Sequence, residues 1–109
     1  MMAQHRSLAD GRWTTLSLVE QMGNTGSEVA RMLRWKEKDV TRCEQAFIRA
    51  LELLDLTIQD SRWRARLKEL TRVREFLCDA MLGGHEYGST LEDLDKYFLA
   101  FATAARVNR

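Results

Sequence analysis

TRCEQAFIRALELLDLTIQDSRWRARLKELTRVREFLCDAMLGG, residues 41–84, decides the fold. Apolar side chains recur in it at three- and four-residue intervals: Cys43, Phe47, Ala50, Leu51, Leu54 and Ile58, then Trp63, Leu67, Leu70, Leu77 and Met81. That interval is the period of an α-helix, whereas a half-buried strand alternates with period two. The two runs meet at Asp60–Ser61, residues whose short side-chain oxygens accept the free backbone N–H groups of a starting helix. Thr41-x-x-Glu44 has the form of a capping box at the head of the first run, with Asp39 as a neighbouring start. Gly83–Gly84 closes the second run, because glycine takes the left-handed conformation that stops a helix. The stretch predicts two consecutive helices joined by a tight corner.

Towards the C-terminus, the GGHEYGS loop (residues 83–89) leads into Ser89-x-x-Glu92, another capping-box pattern. Leu91, Leu94, Tyr97, Phe98, Phe101 and Ala105 then predict a helix to about Val107. Towards the N-terminus, Val19, Met22, Gly26, Val29, Ala30 and Leu33 form the inner stripe of a helix expected over residues 11–38. Gly23 and Gly26 lie inside it, where glycine costs about 1 kcal/mol relative to alanine. They imply a break, a bend, or the close approach of another helix. The chain has no proline to interrupt helices. The expected fold is all-α, an antiparallel up-down four-helix bundle formed by residues 11–109, with residues 1–10 a flexible leader.

The 109 residues suit one domain, and the 45% hydrophobic content supplies a core. A formal charge of +1 excludes a strongly basic nucleic-acid tail and an acidic disordered activator. Cys43 and Cys78 read as reduced core thiols, since two cysteines cannot staple a small secreted domain. No apolar run has membrane-spanning length and no signal segment opens the chain, which points to the cytoplasm.

More apolar surface is present than one stripe per helix consumes. Ile48, Leu53, Leu56 and Phe76 project off the main stripes and form the expected oligomer interface. Charge is also uneven. Residues 62–74 carry six basic side chains against one acid, Glu69, while residues 39–60 are predominantly acidic. Arg62, Arg64, Arg66, Lys68 and Arg72, together with Arg34, Trp35 and Lys36, are the candidate nucleic-acid contacts, by phosphate neutralisation and base stacking on Trp35. The plainer expectation is a solvated face that pairs with the acidic second helix, within or between subunits. Arg74 falls within about 20° of Leu67 on the helical wheel. A guanidinium inside an apolar stripe needs a carboxylate, and Asp55 is the expected partner, with Glu20 as an alternative.

Motifs for chemistry are missing. His5 and His85 are the only histidines, no metal-ligand spacing is present, and neither a Walker loop nor a GxSxG elbow occurs. His85, Glu86, Tyr87 and Asp79 read as a polar turn before they read as an acid–base set. The expectation is no enzyme, no metal and no cofactor.

The stretches EQMGNTGSEVARMLRW (20–35), RALELLDLTIQD (49–60), RLKELTRVREFL (66–77) and EYGSTLEDLDKYFLAFATAAR (86–106) resemble a short, uncharacterised all-helical family of prokaryotes. More loosely, the architecture resembles four-helix bundles of the ribosomal-RNA intervening-sequence type and the accessory proteins of diversity-generating retroelements. That resemblance implies a homo-oligomeric accessory or scaffold protein that contacts RNA, DNA or a nucleic-acid-processing enzyme, here through the basic third helix. The alternative is a HEPN-like toxin–antitoxin component or ribonuclease paired with a nucleotidyltransferase. Its signature, an arginine four to six residues before a histidine, is absent at both His5 and His85.

Overall fold

The computed structural model describes residues 11–107; the expected leader with His5, and residues 108–109, lie outside the described residues. Four α-helices account for most of it: α1 (Leu18–Trp35), α2 (Val40–Gln59), α3 (Leu67–Met81) and α4 (Leu91–Val107). Two 3-10 turns, Trp13–Thr15 and Ser61–Arg66, precede α1 and α3. Among the described residues there is no strand.

The first helix starts later and stops earlier than residues 11–38. Leu16 and Ser17 are extended, and Ser17 with Glu20 forms a complete capping box that fixes the start of α1. α2 is capped by Asp39, whose side chain accepts from the Arg42 amide, and not by Thr41. α4 is capped by Thr90, which accepts from the Asp93 amide; Ser89 is engaged elsewhere. The largest departure lies after Asp60. Residues 61–66 coil as a 3-10 turn with Trp63 off helical geometry, so α3 begins only at Leu67.

Neither glycine breaks α1. Both lie against α4: a Cβ on Gly23 would sit 3.3 Å from the Ala102 Cα, and one on Gly26 would sit 2.6 Å from the Phe98 Cβ. The missing side chains let α4 pack onto α1 at short range, and Phe98 fills the space at 1% exposure.

α1 packs along both α2 and α4, whereas α3 touches α2 and α4 more sparsely. The core joins Met22, Val29 and Met32 of α1 to Ala46, Ala50 and Leu54 of α2, Leu70 and Leu77 of α3, and Leu94 and Phe98 of α4. The buried face of α2 is turned from the expected stripe. Ala46, Leu53 and Thr57 are buried, while Phe47, Leu51 and Ile58 are half-buried. The small Ala46 and Ala50 are fully buried in the core. Leu53 is therefore a core residue at 2% exposure and not part of an outer face. Ala30 and Leu67, expected inside, are exposed.

Polar groups reinforce the corner between α2 and α3. Gln21 is fully buried; its amide donates to the Trp13 carbonyl and to Asp60, and its carbonyl accepts from the Trp63 indole. The Trp13 indole donates to Thr57 at 3.0 Å. Arg62 pairs with Asp60 at 2.7 Å and also reaches the Leu16 carbonyl. These bonds satisfy the buried donors and acceptors that the chain must carry through this corner.

Candidate functional site

Because α3 meets α4 only sparsely, the two helices leave an open groove of about 880 Å³ between them. Its floor is apolar: Val73 and Phe76 from α3, Leu94 and Tyr97 from α4. Tyr87, Gly88 and Ser89 of the loop border one part of it, and Ala65 belongs to the 3-10 turn that precedes α3. Lys68 and Arg72 stand on the α3 side, and Asp93 on the α4 side.

The loop is held by one side chain. Asp79, buried in the last turn of α3, accepts from the backbone amides of Glu86 (2.8 Å), Tyr87 (3.2 Å) and Ser89 (3.1 Å). Burial alone would raise its carboxyl; the convergent amides outweigh this and hold it below the ordinary carboxylate value. Gly83, Gly84 and Gly88 supply the positive φ angles that the loop needs to bring those amides inward. Tyr87 then packs edge-on against Phe76, with ring centroids 5.2 Å apart.

Tyr97 and Glu69 bridge α4 and α3. The phenol donates to the carboxylate at 2.7 Å, and Arg66 holds the other oxygen at 2.9 Å. The phenol's hydrogen bond, with Arg66, lowers the Glu69 carboxyl, while burial and then Glu69 push the Tyr97 hydroxyl up. Tyr97 therefore stays protonated and donates at any ordinary pH.

The structure separates the expected nucleic-acid contacts. Arg34, Trp35 and Lys36 lie at the end of α1; the other five belong to the 3-10 turn or α3. Trp35 packs on the core, and the Arg42 guanidinium covers its ring at 4.6 Å. Lys36 bridges to Glu92, Arg62 to Asp60 and Arg66 to Glu69. Arg34, Arg64, Lys68 and Arg72 have no ion-pair partner among the described residues. Arg74 lies 2.7 Å from Asp55, but both side chains are about two-fifths exposed, so the pair is not buried as expected. Of the expected interface residues, Leu53 is in the core, Leu56 and Phe76 are half-buried, and Ile48 is exposed.

Three features escaped sequence reasoning. Glu28 is buried on α1, paired with Arg31 of the same helix at 2.8 Å and with Arg49 of α2 at 3.0 Å, and the second pair ties α1 to α2. Gln21 anchors the corner, and the Glu69–Tyr97 bond spans the groove helices. Only the acidic and amide side chains at helical spacing from the α1 stripe could have signalled the first two. Among the described residues, no cluster of three His, Cys, Asp or Glu side chains could hold a metal. Nor, among the described residues, is any helix long and apolar enough to cross a membrane.

No protein-family model, curated protein or solved structure matches the chain.

Proposed function

We propose that the protein is a non-catalytic, self-associating cytoplasmic adaptor: an antiparallel up-down four-helix bundle that docks an anionic partner on its α3–α4 face. One observation carries this reading. The groove has an apolar floor, and its α3 edge presents Lys68 and Arg72 without an acid to pair them among the described residues. Recognition sites of this size combine an apolar lining with a few placed polar groups. The loop favours binding over catalysis, because the Asp79 carboxylate is already occupied by three amides and so is not poised to take a substrate proton. Self-association would use the outer face of α2, where Ile48 and Leu56 keep apolar surface in contact with solvent.

The test of the docking face is anisotropy titration of labelled RNA, DNA and acidic peptides against the wild-type chain and Lys68→Glu/Arg72→Glu. Binding of at least one probe at low ionic strength, weakened by salt and lost in the variant, is the expected result. No binding of any probe would eliminate the reading. Ile48→Glu/Leu56→Glu should lower the mass seen by light scattering; an unchanged mass would reject α2 as the interface.

A further inference from the structure

We propose that the α3–α4 groove receives an amphipathic helix of a partner protein, acidic along the flank that faces α3. The inference rests on the adaptor reading and supplies the chemistry of its partner. Length is the first argument. The lining on α3 runs from Lys68 to Phe76, about 12 Å at the helical rise, or two turns of a docked helix, and Ala65 and Arg66 of the 3-10 turn extend it. Shape is the second. The floor offers Val73, Phe76, Leu94 and Tyr97 to side chains spaced i, i+3/i+4 and i+7, as when a helix lays one face into an apolar groove.

Charge decides between partners. Lys68 and Arg72 follow one another four residues apart on α3, so like charges are neighbours along the groove edge, an arrangement that destabilises a helix on its own, and Arg64 precedes them in the 3-10 turn. Arg62, Arg66 and Arg74 nearby each have a carboxylate; these three have none among the described residues. Acids on a docked helix would relieve the repulsion. The opposite edge carries Asp93, so the occupant's other flank would be neutral or basic there, which fixes its rotation in the groove. A nucleic-acid strand fits less well. Its phosphates would meet Glu69 and Asp93 in the groove and Glu75 beside the Tyr87 hydroxyl. Tyr87, the exposed aromatic at the groove, already packs edge-on against Phe76.

A library of random 16-residue displayed peptides, selected on the immobilised full chain and counter-selected on Lys68→Glu/Arg72→Glu, tests this. Both substituted positions are exposed, and circular dichroism checks that the variant keeps its helices. The expected result is enrichment of amphipathic helices with acids on one flank. A synthesised winner should bind the variant at least tenfold more weakly and shift the amide resonances of Ala65, Lys68, Arg72, Gly88 and Asp93. Failure to enrich, enrichment of basic or non-amphipathic peptides, or shifts outside the groove would overturn the inference. If an RNA or DNA probe binds through Lys68 and Arg72 while no peptide is enriched, the helix is wrong and the adaptor reading stands. If neither binds, both fail.

Discussion

Asp60 holds its corner by accepting from the Gln21 amide and from the backbone and guanidinium of Arg62. The Arg62 side chain, joined by Gln21, overcomes the opposing effect of burial and lowers its pKa from 3.8 to about 2. A depressed folded-state value means that the unfolded chain takes up the proton first as pH falls. The stabilisation is complete above the unfolded value and is lost as pH falls through about 2. The urea midpoint should therefore drop between pH 5 and pH 2, and by less in Asp60→Asn; an equal drop in that variant would contradict the assignment. Arg74 and Asp55 test a different point. At two-fifths exposure each, their coupling in a double-mutant cycle should be about 0.2–1 kcal/mol. A coupling of about 3–5 kcal/mol would mark them as a buried pair. The partner was legible from the wheel, but the exposure was not: whether the pair is covered depends on how α2 and α3 pack, and no local pattern encodes that.

At the level of elements, Gly26 offers a test with opposing signs. Alanine there would gain about 1 kcal/mol in helix propensity. Its Cβ would also lie 2.6 Å from the Phe98 Cβ, inside a core where overpacking costs about 1–3 kcal/mol. Gly26→Ala should lower the melting temperature, and Gly23→Ala, with a 3.3 Å contact, should do so by less. Stabilisation by Gly26→Ala would mean that α4 does not seat against α1 as described. Helix existence was readable because the helical period held for α2 and α4 and Gly83–Gly84 closed α3, although Asp39 and Thr90 cap α2 and α4 in place of Thr41 and Ser89. The start of α3 was not, since the Trp63 and Arg62 side chains of the 3-10 turn at Ser61–Arg66 bond to Gln21 and Leu16, partners far away in sequence. The face of α2 was misjudged because large side chains such as Phe47 and Ile58 dominate a stripe count, whereas the small Ala46 and the polar Thr57 are the ones fully buried. The candidate site was half legible: its cations stood out in the sequence, but the groove exists only through the spacing of α3 and α4 and the loop gathered by Asp79.

Across the whole molecule, packing is unequal. α1, flanked closely by α2 and α4, should be the most protected part in amide hydrogen exchange, and α3, held more thinly, should open first. Exchange in α3 as slow as in α1 would show that the groove is closed in solution. A bound partner helix should slow α3 more than α1. The distribution of chromophores has a consequence of its own. Both tyrosines, Tyr87 and Tyr97, border the groove, and none of the three tryptophans does. Trp13 and Trp63 share Gln21 at the corner, and Trp35 lies beneath Arg42. The chain thus carries two separate optical gauges. Indole emission follows the integrity of the fold, and phenol absorbance follows what occupies the groove, so docking and unfolding can be distinguished in one unlabelled sample.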